Sequence, residues 1–431
     1  MYGKLQLSDL DWKFKTEKNP HQNNRVGFWP RGKALGGSSS INAMIYVRGD
    51  RENFDSWERD GCTGWGYQGV LPYFKKSENC EVPGLDPEYH GKGGPLTIRS
   101  PECNPYTHHW VQAATKAGWT FNQDYNGASM HGVSIAQSNI SDGIRQNTSR
   151  VFLGRHRATR KNLTVATGAH VTRVIFQGTT AIGVEFKRGS ADLAAVSKGK
   201  TEMVHCSREV ILSAGAINTP WLLLLSGVGP KRELEAMGVP VVADLPVGKN
   251  LQDHLLLFQC FKTKESGPLS PHMDLYAVGQ LFRYLLTKGG LLAHGHLQGT
   301  AFATTGLRGD GSTAPDLQIH FYPGSLGAEA VEQANFVDDS FFKDLEKHLG
   351  PHAICIVPTL LRPKRYWFVV VVVVVLLLIL PFFSSVGEIV LKSRNPFEYP
   401  AIHSNYLSDP EGVSPCHPRP VSTITPFSFT V

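Results

Sequence analysis

The chain has 431 residues, enough to bury a large core in two or three domains. Its 41% hydrophobic content, with 43 Gly and 27 Pro, fits a loop-rich globular enzyme and excludes a disordered or coiled-coil protein. The net charge of +6 is spread along the chain with no dense Lys/Arg block, so no nucleic-acid partner is expected. Seven scattered cysteines (Cys62, Cys80, Cys103, Cys206, Cys260, Cys355, Cys416) show no CxxC or metal-ligand spacing. No metal site is expected from them, and an odd count cannot pair completely.

Residues 1–30 are polar with two short apolar patches and carry no apolar signal-peptide region, so either the setting is intracellular or the natural start lies upstream. Sequons at Asn139, Asn147 and Asn162 admit a secreted or membrane-associated setting, with a mitochondrial one as the alternative. Residues 32–49 then read Gly-Lys-Ala-Leu-Gly-Gly-Ser-Ser-Ser-Ile-Asn-Ala-Met-Ile-Tyr-Val-Arg-Gly. Gly36 and Gly37 let backbone approach a ligand closely, and Ser38 to Ser40 surround it with donors. Asn42 and the apolar Ala43, Met44 and Ile45 continue into a packed element. Such a run suits a polar, phosphate-bearing cofactor held against a hydrophobic wall. Residues 51–80 hold Phe54, Trp57, Trp65, Tyr67, Leu71, Tyr73 and Phe74, with Trp57, Leu71 and Phe74 expected on helix faces and the cluster expected in the core.

From Leu163 the pattern changes to strands: Leu163-Thr-Val-Ala-Thr, His170-Val-Thr-Arg-Val-Ile-Phe and Ala181-Ile-Gly-Val-Glu-Phe predict a meander. Glu209-Val-Ile-Leu-Ser-Ala predicts a strand covered on both faces of a parallel sheet. Gly215 follows, with Thr219 as the predicted N-cap and Pro220 as the first residue of a helix. That order places Gly215 and Ala216 at the carboxyl end of a strand, where ligands lie in open α/β sheets.

The 32–49 run resembles the first signature of the glucose-methanol-choline family of FAD-dependent alcohol oxidoreductases. Gly215-Ala-Ile-Asn-Thr-Pro-Trp-Leu-Leu-Leu-Leu-Ser-Gly-Val-Gly229 resembles its second signature, and Val247-Gly-Lys-Asn-Leu-Gln-Asp-His254 another recurrent stretch. Each alone is weaker; Asp253 and His254, for instance, read equally well as a structural hydrogen bond. Trp29-Pro-Arg-Gly32, Tyr46-Val-Arg-Gly49, Leu71-Pro-Tyr-Phe74 and Gly94-Pro-Leu-Thr-Ile98 bring choline-dehydrogenase-like and glucose-dehydrogenase-like members nearest. A generic NAD-type dehydrogenase has none of these signatures.

The resemblance implies an α/β, α+β overall, architecture: a partial Rossmann-like FAD-binding domain with an antiparallel-sheet substrate domain. It implies an FAD-binding portion over 1–256, with interleaved cap segments, and a substrate-domain portion over 257–413. It would line the flavin with Gly36, Gly37, Ser38, Asn42, Ala43, Met44 and Ile45, with Gly215, Ala216 and Asn250 also at the cofactor and Val171 beside the adenine through its backbone. Where some members attach flavin to a His, this chain has Ile41, so FAD is expected to be non-covalent. The implied partner is a small alcohol whose hydride passes to flavin N5; the electron acceptor stays open.

No G-x-G-x-x-G or P-loop pattern occurs in the chain; Gly227 and Gly229 come closest, with Arg232 in the third position. The resemblance puts that fingerprint upstream of residue 1 and the family's catalytic His pair beyond the C-terminal segment, so no catalytic residue is assigned and catalysis is expected to be impaired. Tyr366 to Phe383 is an uncharged run with seven consecutive Val, long enough for a membrane span and flanked by Lys364 and Arg365. It also interrupts a family domain over 366–385, as a translated intron would, and either origin fits the sequence. Residues 414–431 are Pro-rich and match no family segment.

Overall fold

The computed structural model describes residues 5–408 except 101, 155, 157–158, 190–192, 258, 263–273, 291–292, 296, 307–310, 325–352, 362–365, 370–378 and 383–385. Helix α1 (Arg51–Arg59) starts where the Asp50 carboxylate accepts from the Glu52 amide, the usual satisfaction of an orphan donor at a first turn. Arg59 lies in its last turn, where a cation suits the helix dipole. Helix α2 (Tyr67–Ser77) packs against it. Trp57, Leu71 and Phe74 do lie on these helices, and Phe54 is the hub, with ring centroids 5.3 Å from Trp57 and 5.6 Å from Phe74. The aromatic cluster is core only in part: Phe54 and Tyr67 are buried, whereas Trp57, Trp65 and Tyr73 are exposed. Helix α3 (Pro105–Lys116) opens on an Asn104 cap with Pro105 at its first position, where the missing N–H costs nothing.

A six-stranded antiparallel sheet dominates the β structure. Its strands are β1 (Gly132–Ile135), β5 (Leu255–Leu256), β6 (Gln259–Lys262), β7 (Gly299–Ala303), β8 (Leu317–Tyr322) and β9 (Ala353–Leu360), in the order β5-β9-β8-β7-β1, with β6 also paired to β9. The period-2 alternation gives it two different faces. Val133, Ala301, Leu317 and Ile319 point to α3 and bury against Trp110, Val111 and Ala114, with Trp110 stacked on Phe321 at 5.1 Å. Burying each such side chain stabilises by roughly 1.5–3 kcal/mol. The opposite face carries Ser134, Thr300, Gln318 and Thr359, all buried.

The predicted meander is present as β2 (Ala169–Gln177), β3 (Thr180–Arg188) and β4 (Thr201–His205), in antiparallel order. The first expected strand, 163–167, lies outside it as exposed coil. Residues 209–214 are also coil, not the expected covered strand. No described strand pairs with them, and Ile211 is 76% exposed, so neither ladder bonds nor burial favour an extended strand there. The helix that follows, α4 (Gly215–Leu225), begins five residues earlier than predicted. Thr219 is therefore not the cap: its hydroxyl accepts from the Ala214 amide at 3.1 Å. Pro220 sits inside the helix. One ladder bond is forfeited there, and burial of Trp221, Leu222 and Leu224 outweighs it.

Parallel pairing among the described strands is confined to Glu78–Cys80 with Leu96–Ile98 and Val228–Gly229 with Ala243–Asp244, with one isolated parallel bridge between Phe121 and Val133. The apolar run at 366–383 is not one continuous helix. Its ends form β10 (Tyr366–Val369) and β11 (Ile379–Phe382), which pair antiparallel with each other. No helix among the described residues is long and apolar enough to cross a membrane. Strands β12 (Glu388–Val390) and β13 (Ala401–His403) close the chain onto α4 and the N-terminal Phe14 and Trp29 in a common core. Residues 414–431 lie outside the described residues.

Candidate cofactor and substrate site

The Gly-Gly-Ser run folds as a tight turn over Gly37–Ser40, reached through Gly36 at φ +93° and Gly37 at φ +53°. It is clasped by residues that carry no cofactor-motif signal in sequence. Arg145 donates to the Asn42 carbonyl at 2.7 Å and to the Asn42 side-chain oxygen at 2.8 Å. The Asn147 amide donates to the Ser40 hydroxyl at 3.0 Å, and the Thr148 backbone N–H to the Ser39 hydroxyl at 3.0 Å. Two of the three sequon asparagines thus have structural roles, half-buried Asn147 here and Asn139, which is buried and donates to the Gln146 carbonyl. A Cβ placed on Gly37 would meet nothing within 4 Å. Open space and a left-handed backbone coincide there, as a close ligand approach requires.

Beyond the turn, Met44 and Ile45 are fixed by backbone pairing. The Asn139 amide donates to the Met44 carbonyl at 3.1 Å, and Ile45 bridges Ser138. Ile41 is buried and Ala43 half-buried. The run then ends in a buried charge network. Arg48 pairs with Glu78, the His90 Nδ1 donates to Glu78 at 2.7 Å and its Nε2 to Asp124 at 2.9 Å. Burial alone would lower the His90 pKa; the hydrogen bonds to Asp124, Cys80 and Glu78 override it and push it up to about 11. Burial likewise works against the Glu78 and Asp124 charges, yet the His90 bonds, and Arg48 beside Glu78, hold both carboxyls below their usual range. Glu78, Cys80 and His90 bring ligand-type atoms within 4.8 Å of one another. Both imidazole nitrogens are committed to carboxylates, however, so the cluster reads as a proton clamp rather than a metal cage.

Gly215 opens α4 at φ +97°, and a Cβ placed there would likewise meet nothing within 4 Å; Ala216 beside it is exposed. Two residues on, the Asn218 side-chain oxygen is buried with no hydrogen-bond partner among the described residues. Such an orphaned acceptor normally costs about 1–3 kcal/mol and calls for a donor. Val171 is half-buried on β2, opposite Phe186 and next to a bulge at 172.

Lys249 holds the third stretch in place, with its ammonium 2.6 Å from Glu233 and 2.5 Å from Glu388. Asp253 accepts a hydrogen bond from the Tyr406 hydroxyl, not from His254. That leaves His254 at the border of a cavity of about 1340 Å³, lined also by Asn250, Trp57, Met130, His131 and Leu361. Of the expected cofactor residues, only Asn250 borders this cavity. His320 on β8 lies close enough to His254 to feel its charge; burial, then His254, push its pKa down to about 4. Its Nδ1 is buried without a partner among the described residues. His320 gives no motif signal in sequence; only its place on the polar sheet face reveals it.

A model of the family described as GMC oxidoreductase matches residues 14–256. The chain is 36% identical over 415 residues to the alcohol dehydrogenase [acceptor] of Pseudomonas putida, covering 94% of this chain and 65% of that protein. It is 34% identical over 409 residues to the mitochondrial choline dehydrogenase of Mus musculus, covering 92% of this chain and 59% of that protein. The chain thus spans less than two thirds of these curated relatives. The solved formate oxidase of Aspergillus oryzae superposes with a TM-score of 0.77 at 25% identity, over 95% of this chain and 70% of that one. With a family model matched over more than half of its length and relatives well above 30% identity, the chain belongs to the GMC oxidoreductase family.

Proposed function

We propose that this chain carries the flavin-facing and substrate-facing parts of an oxidoreductase acting on the CH–OH group of a small alcohol. FAD is the cofactor that the family and the Aspergillus neighbour support. The observation that carries the reading is the orphaned Asn218 oxygen, with the open, left-handed positions at Gly37 and Gly215 supporting it. A group rich in donors and able to approach bare backbone satisfies all three. In this reading Gly36, Gly37, Ser38, Asn42, Ala43, Met44 and Ile45 line the flavin, Gly215, Ala216 and Asn250 contact the cofactor, and the Val171 backbone faces the adenine. Ile41 offers no nucleophile, so attachment is non-covalent.

When bound, FAD supplies the acceptor for the hydride leaving the alcohol carbon. The chain's own share is orientation and exclusion of water. Arg145, Asn147 and Thr148 fix the Gly-Gly-Ser turn, and the proton clamp at His90 fixes the strand end after it. The neutral His320 offers an acceptor on the substrate-side sheet face, so it can orient a hydroxyl without adding charge. The names of the bacterial and mouse relatives put alcohols, choline among them, forward as the substrate class. A membrane-tethered, non-catalytic relative is the competing proposal, resting on the uncharged composition of 366–383. Anaerobic mixing of FAD-loaded protein with a panel of primary alcohols separates the two: bleaching of the flavin's visible absorption band supports the first. A flavin band that no alcohol bleaches overturns it.

A further inference from the structure

Among the described residues, the cysteines that show no spacing in sequence are brought together once. Cys260 on β6 stands directly opposite Cys355 on β9, and their sulfurs are 2.7 Å apart. The register explains the closeness. The Leu257 amide donates to the Pro358 carbonyl at 3.0 Å, which makes 257/358 a hydrogen-bonded pair. Narrow and wide pairs alternate along an antiparallel ladder, so Cys260/Cys355, three positions on, is a non-hydrogen-bonded pair. In such a pair the Cα atoms approach to about 4.5 Å and the side chains lean together. That separation lies inside the range a disulfide requires, about 4.4–6.8 Å. Exposure is unequal: Cys355 is fully buried between Cys260 and Tyr322, whereas Cys260 is half-buried on a strand that, among the described residues, pairs only with β9.

We propose that Cys260 and Cys355 are an oxidisable pair that closes a cross-strand disulfide, the oxidant being a small-molecule disulfide such as oxidised glutathione. The Cys260 thiolate, having lost its proton to solvent, attacks one glutathione sulfur; a mixed disulfide forms and one glutathione thiolate leaves. Cys355 then loses its proton and attacks the Cys260 sulfur, the protein S–S bond forms, and the second glutathione thiolate leaves. Two protein thiols are oxidised and one glutathione disulfide is reduced to two thiols. The bond would tie β6, a few residues after Asp253-His254, to its neighbour β9 and close a loop of the chain between 260 and 355. Closing so long a loop constrains the unfolded state strongly.

The test is peptide mapping of the full-length protein, incubated with oxidised or reduced glutathione, acid-quenched, alkylated in denaturant and digested. After oxidation, Cys260 and Cys355 are expected in one cross-linked peptide that disappears on reduction, while the buried Cys80 remains alkylated as a free thiol. The oxidised protein is expected to melt at a higher temperature than the reduced one, and Cys260→Ser to melt alike under both conditions. Recovery of Cys260 and Cys355 as free alkylated thiols overturns the proposal, as does a Cys260–glutathione adduct that Cys355 never resolves. The mapping uses the unaltered chain, so a variant that fails to fold does not rescue the idea.

Discussion

Replacing His90 by Leu tests the buried network that ends the Gly-Gly-Ser run. The imidazolium is nearly inaccessible and donates to two carboxylates, at 2.7 Å and 2.9 Å. Breaking a buried charge pair by removing one partner costs about 3–5 kcal/mol. Here the lower end applies, because Glu78 keeps Arg48 and Tyr46, and Asp124 keeps Gln137 at 3.2 Å and the Asn126 amide at 3.2 Å. A loss of about 3 kcal/mol is expected at pH 7, read as a lowered urea midpoint with an unchanged slope. The pH dependence gives an independent check. The folded His90 pKa is raised, so its contribution is complete below the ordinary histidine pKa and fades as pH rises through about 11. Glu78 and Asp124 are lowered, so theirs is complete above their ordinary carboxyl pKa values and is lost as pH falls through the folded values. The wild type is therefore expected to lose stability at both extremes, and His90→Leu to lose the alkaline limb. A stability change under about 1 kcal/mol, or an unaltered alkaline limb, would refute the reasoning.

Four further outcomes follow from the geometry. Gly37→Ala meets no protein atom and carries only the left-handed backbone penalty of about 1–2 kcal/mol, so a folded variant with weakened FAD affinity is expected; undiminished affinity in a fluorescence titration would remove Gly37 from the cofactor site. Tyr406→Phe deletes the bond to Asp253 and should cost about 1.5–3 kcal/mol in urea unfolding, with no change counting against that bond's place in the fold. Arg145→Ala frees the Asn42 carbonyl and should loosen FAD more than it lowers stability, seen as faster flavin release in a dilution assay. Deleting 366–385 removes two short strands that, among the described residues, pair only with each other, so soluble yield should rise and unfolding stay cooperative; poorer expression would return the run to a membrane role.

The parts legible in sequence were those with local signals. The Gly36-Gly37 turn, the α1 and α2 faces and the β2–β3 hairpin all carry their period or turn chemistry within a few residues. The 209–214 segment failed because a covered parallel strand depends on neighbours, and a continuous apolar run says nothing about whether they are present. Thr219-Pro220 has the form of a helix start, but the helix begins at Gly215, and its added first turn buries Ile217. His320, Arg145 and the Cys260–Cys355 pair were invisible for another reason. Each acquires its meaning from a partner far along the chain, set by sheet register or by loop closure.

The central claim is that the Gly-Gly-Ser turn and the start of α4 hold FAD. Titrating the purified chain into FAD and following flavin fluorescence and absorbance tests it most directly, with Gly37→Val and Asn218→Leu run alongside. Saturable, equimolar quenching by the wild type that both substitutions weaken is the result predicted. A cooperatively folded protein that leaves the flavin spectrum unchanged at saturating concentration would contradict it.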